Sequence, residues 1–216
     1  MLDLRYNGGG YLFIAAEVGY MIAGPARTKD KTFDKLTYNS KRVADNNNPD
    51  KATPFYDSSC VLDASFRCTD VKPLPTLNLP RVFILSRGST CSASEAIING
   101  LRGVDVDVKL IGSTTCGKPY GFTQKDNCGI SYFPIEFKGA NNKGFGDYSD
   151  GFPANCPASD DLNKPLGDPT EGMLATALGL RASGACPATA ASKTSISDGF
   201  MVRSPARENR ISLKIK

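Results

Sequence analysis

The chain contains no histidine. That absence rules out any Ser–His–Asp or Cys–His catalytic arrangement built from these residues, and it removes the commonest metal ligand. There is no CxxC pair either, so the cysteines fit no tetrahedral zinc pattern, and neither a metal nor a cofactor is expected. No apolar run is long enough to cross a bilayer as a helix. The basic residues are scattered rather than clustered and the net charge is only +4, which argues against a surface that tracks nucleic-acid phosphates. What remains is an ordinary globular composition, 40% hydrophobic and 22% charged over 216 residues, enough for one domain with a real core or one domain with an appendage.

Cysteine is plentiful by contrast. Seven residues, at 60, 68, 91, 116, 128, 156 and 186, point to disulfides formed in an oxidising compartment. Cys60 and Cys68 bracket a short polar loop and are the first expected pair; the odd count leaves at least one thiol over. The chain opens directly on the apolar strand LDLR with no leader before it. That start is read as an N-terminal truncation, so the missing signal peptide says little about location.

Along the chain, residues 1–5 are expected to form a short buried strand and Asn7-Gly8-Gly9-Gly10 a sharp turn. Residues 11–23 are apolar nearly all round, the pattern of a helix buried against a sheet and ended by Gly24-Pro25. A second strand is expected over 35–42, then a long polar excursion over 44–80 holding at most a short helix. Residues 81–86, RVFILS, form a continuous apolar run of central-strand character. A turn, a helix from Ser92 to Leu101 and a strand over 106–112 follow. Residues 120–123 and 130–138 predict an antiparallel pair around Asp126-Asn127, and residues 139–169 a Gly/Asn/Pro/Asp-rich loop. Residues 171–180 predict a helix capped by Thr170 or Asp168. The order strand, glycine turn, helix, strand defines an α/β fold. The catalytic core is expected to span residues 1–187, with 188–216 a polar tail that is disordered or adds an edge strand.

Three segments stand out: LDLRYNGGG at 2–10, STCSASE at 89–95 and TTCGKPYG at 114–121. Each follows a strand of the expected sheet, and sites in such sheets form at the carboxyl ends of strands. Ser92 falls where strand gives way to helix, so its hydroxyl faces the positive helix end, a placement suited to a nucleophile. Read alone, however, Ser92-x-x-Glu95 is a capping box that merely satisfies helix N–H groups. Lys118 lies 26 positions on (118 − 92) across one crossover, and Gly117 and Pro119 confine it. A lysine desolvated in such a loop would lose its proton readily and act as a base; read alone it is an exposed loop lysine. The glycine run would either make a turn or bring a backbone N–H to a substrate carbonyl.

Taken together, LDLRYNGGG, STCSASEAIINGL and TTCGKPYG resemble the C-terminal processing peptidases, or tail-specific proteases, and the likeness continues to about residue 185 through GFPANCPASDDLNKPLGDPTEGMLATAL. The resemblance implies a crotonase-like α/β core, a Ser92 nucleophile, a Lys118 general base and an oxyanion hole of the Gly9 and Ala93 backbone N–H groups. It implies a serine endopeptidase that cuts polypeptide substrates near their C-termini through an acyl-enzyme, in the periplasm or another extracytoplasmic space. Three departures mark this chain. Cys91 precedes the serine where a small residue is usual, with Cys116 close enough in sequence logic to pair with it. Phe122 stands where some members have a glutamine that orients the lysine, Gln124 being the nearest candidate. The family's PDZ domain, which selects the substrate, is not among these residues. A non-catalytic ligand- or peptide-binding module on the same fold and an inactive fragment are the competing expectations.

Overall fold

The computed structural model describes residues 1–65 and 67–188; the expected tail, from 189 onward, lies outside them. A parallel sheet runs through the middle. Its strands are β1 (Leu2–Asp3), β6 (Arg81–Ser86), β7 (Asp107–Gly112) and β12 (Cys156–Pro157), in the order β1-β6-β7-β12. Between β6 and β7 the register runs unbroken from Arg81 opposite Asp107 to Ser86 opposite Gly112. β6 does not alternate in burial: Val82 through Ser86 are all buried, because helices cover both faces.

On one face lie α1 (Leu12–Ala23) and α3 (Ala93–Gly103). Their shared core includes Ala16, Ile84, Ile98, Leu101 and Leu110, each with no exposed surface. Complete burial of such aliphatic side chains is worth about 1.5–3 kcal/mol apiece. On the other face α4 (Gly172–Ser183) packs Met173 and Ala177 against Phe83, Leu85 and Ile111. α1 ends as its sequence predicts, with Gly24 at φ 76° accepting the chain reversal and Pro25 opening the short α2 (Pro25–Thr28).

A second sheet, antiparallel, closes over the helical face in the order β3-β2-β11-β8, from β2 (Thr32–Tyr38), β3 (Ala52–Pro54), β8 (Tyr120–Phe122) and β11 (Ile135–Ala140). Two hairpins complete the described fold: β4 (Ser58–Leu62) with β5 (Cys68–Pro73), and β9 (Lys125–Asn127) with β10 (Ile130–Tyr132).

Several elements differ from expectation. The first strand shrinks to two residues because Arg5 leaves the ladder for a buried ion-pair network. β2 begins at Thr32 rather than 35, its two ends pairing with different strands. The excursion at 44–80 holds 3₁₀ turns, β3 and the β4–β5 hairpin, whose strands carry no apolar alternation for a sequence reading to find. The run 130–138 divides at Phe133-Pro134, since proline cannot donate to a ladder. Its first half turns back on β9, and its second half pairs with both β8 and β2. The cap of α4 is Glu171, whose carboxylate accepts from the Met173 and Leu174 N–H groups at 3.2 and 3.0 Å. Thr170 and Asp168 instead bond to each other at 2.7 Å one turn earlier.

Candidate active site

The three segments singled out in the sequence meet at the carboxyl end of β1 and β6. Leu4 continues the β1 ladder by donating to the Leu85 carbonyl at 3.0 Å. Beyond it the first and second segments are laced together: Thr90 Oγ1 donates to the Leu4 carbonyl at 2.7 Å, Ser89 Oγ to the Arg5 carbonyl at 2.9 Å and Ser94 Oγ to the Asn7 carbonyl at 3.1 Å. The third segment joins through the Cys116 N–H, which donates to the Thr90 carbonyl at 3.1 Å.

Ser92 stands at the N-terminus of α3 with φ 56° and ψ −116°. Such a conformation costs a non-glycine residue about 1–3 kcal/mol and persists only where the surroundings impose it. They do so here. The Cys91 N–H donates to the Asn7 carbonyl at 3.3 Å, and the Ser92 N–H to Glu95 Oε2 at 3.0 Å. Gly9 crosses directly over this turn at φ 109°; a Cβ on Gly9 would come within 2.7 Å of the Ser92 Cβ and 3.2 Å of the Ala93 nitrogen. Only glycine fits so close an approach in that backbone conformation. The Gly9 N–H donates to Asn7 Oδ1 at 2.9 Å, while Ala93, at the first helical position, has no carbonyl a turn behind it to accept from its N–H.

Lys118 shares one cleft of about 160 Å³ with Ser92, Ala93 and Gly10. Its place differs from the expectation of a wedged, desolvated lysine. Pro119 beside it is buried, but Lys118 itself is exposed at the cleft, with Nζ 5.9 Å from the centre of the Phe122 ring. The ring occupies the place where an orienting glutamine was sought; Gln124 bonds to Asp126 at 2.8 Å and Ser131 at 3.2 Å in the β9–β10 hairpin and does not line the cleft.

The residue that couples serine and lysine is one the sequence offered only as a cap. Glu95 is fully buried. Its Oε2 accepts from the Ser92 N–H at 3.0 Å and the Lys118 N–H at 2.9 Å. Its Oε1 accepts from Thr115 Oγ1 at 2.6 Å and the Gly117 N–H at 2.8 Å. The capping box is therefore present and does a second job, holding the lysine loop against the helix start. Nothing in a linear pattern distinguishes a cap glutamate from one with four donors on two segments.

A disulfide spans the same junction. Cys91 and Cys116 are bonded, with Cα atoms 5.3 Å apart, so a covalent link joins the residue before Ser92 to the residue two before Lys118. Cys60 is bonded to Cys68 across the β4–β5 hairpin, and Cys156 to Cys186 beside α4; Cys128 is free and exposed.

Removing the Glu95 carboxylate strands three backbone N–H groups and a hydroxyl, each costing about 1–3 kcal/mol if no water replaces the acceptor. Glu95→Ala is expected to lower the melting temperature by roughly 6–12 °C, the equivalent of about 3 kcal/mol in a domain of this size. An unchanged melting temperature would show that the junction does not depend on this group.

With this geometry in view, comparison with known proteins places the chain among the peptidases. The family model described as Peptidase family S41 matches residues 1–126, more than half of the 216 residues, and the chain belongs to that family. A Bacteroides fragilis protein assigned to the S41 proteases superposes with a TM-score of 0.68 at 25% identity, over 85% of this chain and 44% of its own. The photosystem II D1 C-terminal processing protease gives a TM-score of 0.44 at 17% identity, over 71% of this chain and 33% of that one. The chain thus spans less than half the length of either relative. No curated protein matches it. The S41 assignment agrees with the mixed α/β fold and its parallel sheet, and no helix among the described residues is long and apolar enough to cross a membrane.

Proposed function

We propose that the protein is a serine endopeptidase in which Ser92 is the nucleophile and Lys118 the general base. The observation that carries this reading is the forced conformation of Ser92 at the start of α3, in a cleft it shares with Lys118. In its neutral form the Lys118 amine takes the Ser92 proton as Oγ attacks a peptide carbonyl, and later activates the water that releases the acyl-enzyme. A bound peptide covers the exposed amine and excludes bulk water from the step.

The oxyanion is received by the Ala93 N–H at the positive end of α3 and by the Gly9 N–H. The latter is engaged by Asn7 Oδ1, so the substrate oxygen must displace that acceptor. By family, the substrates are polypeptides cut near their C-termini. The three disulfides fit an extracytoplasmic compartment, the periplasm included.

The test is covalent. An acylating active-site probe incubated with the protein should add one mass equivalent on the tryptic peptide containing Ser92, and none in a Ser92→Ala variant of unchanged circular dichroism. Equal labelling of both would overturn the assignment and favour a binding module on this fold.

A further inference from the structure

The cleft beside Ser92 holds a carboxyl group that the peptidase mechanism does not use. Asp34 is 5% exposed, yet it lines the cleft together with Leu12, Leu36, Ala96, Phe137 and Tyr148. It is in phase with Leu36 and Tyr38 on β2, so strand alternation sets a carboxylate in the middle of an otherwise apolar face. Room for it is made across the sheet, where β11 has Gly139. A Cβ at that position would lie 2.3 Å from Asp34 Oδ1.

Among the described residues no side chain or backbone group donates a hydrogen bond to this carboxyl and no cation pairs with it. A buried carboxylate without a partner is costly, and proteins ordinarily supply one from within. Burial alone pushes Asp34 up to about 7. The groups around it do not relieve the cost. Tyr148 on the 141–155 loop is buried, and its hydroxyl is held protonated first by that burial and then by Asp34 and Glu95. Glu95 on α3 is spent on the junction described above. On β11 Glu136 pairs with Arg42 at 2.6 Å. Lys35 and Lys138 fall on the opposite face of their strands by alternation, and Lys118 sits exposed at the cleft.

We propose that Asp34 is the specificity-determining residue of the site and that it selects substrates with a cationic side chain on an apolar stem, lysine above all, at the residue whose carbonyl Ser92 attacks. The stem lies along Leu36, Ala96 and Phe137, and the ammonium supplies the charge and donors that Asp34 lacks. This inference rests on the cleft being the peptidase site, but its test does not require cleavage.

The full chain carrying Ser92→Ala is titrated calorimetrically with two peptides of equal length, one ending in lysine and one in norleucine, which keeps the four-carbon stem and replaces the ammonium by hydrogen. At pH 8.5 the lysine peptide should bind at least about tenfold tighter, the range of a hydrogen bond to a charged group. At pH 5.5 Asp34 is protonated in the free protein, and the preference should shrink towards parity. Adding Asp34→Asn should abolish it at both pH values while the norleucine peptide still binds. The native state holds a proton on Asp34 that the unfolded chain releases near pH 4, so stability falls as pH rises from about 4 to 7. Asp34→Asn should therefore raise the melting temperature at pH 8.5 and leave it nearly unchanged at pH 4, which also shows that the variant folds. Equal affinities at pH 8.5, tighter binding of norleucine, no binding of either peptide, or a lysine preference that survives Asp34→Asn would each overturn the proposal. Failure of probe labelling at Ser92 would overturn the peptidase reading instead.

Discussion

Ser92→Ala is expected to lower the turnover of a fluorogenic peptide by about four orders of magnitude or more, with a loss of only about 2–4 °C in melting temperature from the missing helix cap. Alanine removes the proposed nucleophile and leaves the strained turn, the Glu95 bridge and the disulfide in place. Lys118→Ala should fall by a similar factor, since a serine hydroxyl without a base is a poor nucleophile. The more telling variant is Lys118→Arg. It keeps the length and positive charge that a purely electrostatic or binding role would need, but guanidinium does not give up its proton in proteins. Activity should be lost as completely as with alanine. Under the proposed mechanism serine and lysine act as one unit, so the double variant Ser92→Ala/Lys118→Ala should be no worse than either single one. Substantial cleavage by Lys118→Arg would rule out proton abstraction by this side chain.

The second large effect is on stability. Arg5 is 1% exposed and binds three carboxylates, one two residues back and two from distant parts of the chain. Its Nη2 lies 2.7 Å from Asp3, and its Nη1 lies 2.9 Å from both Asp160 and Glu171. Asp160 in turn accepts from Arg87 at 2.9 Å and the Tyr6 hydroxyl at 2.6 Å. Glu171 is fully buried and caps α4. Arg5 therefore fastens the end of β1, where the glycine turn begins, to the closing loop and the last helix. Arg5→Ala leaves Glu171 and Asp160 buried without their principal cation, a defect that costs about 3–5 kcal/mol. Domains of this kind have about 5–15 kcal/mol in total, so the loss consumes much of the margin. Urea unfolding followed by circular dichroism should show a midpoint displaced by that amount at an unchanged slope. A displacement under 1 kcal/mol would mean that water replaces the guanidinium with little penalty. Asp3→Asn, which removes only the half-exposed partner, should cost far less.

Much of this arrangement is legible in the linear chain. The parallel strand at Arg81–Ser86 holds a continuous apolar run, and α1 is a long apolar stretch with a glycine–proline stop. Local signals of that kind survive because burial on both faces demands them. The antiparallel sheet is less legible. β2 draws its partners from β3 and from β11, about a hundred residues away, and short exposed hairpins have no buried face to impose alternation.

At the site, residue types alone carried the choice of chemistry: no histidine, a serine at a strand-to-helix turn and a lysine one crossover later. Those features, with the motif likeness, were enough to single out Ser92, Lys118, Gly9 and Ala93 for the roles proposed above. Only the tertiary structure decided how these groups are held. Glu95 is a cap in sequence and a four-donor bridge in space. The Cys91–Cys116 bond depends on two loops meeting, and Arg5 finds two of its three carboxylates more than 150 residues on. Asp34 is one polar letter in a strand until the fold buries it beside the serine. Sequence spacing reports what a residue's neighbours along the chain require of it, whereas the electrostatics of a buried charge depend on which groups the fold brings within a few ångströms.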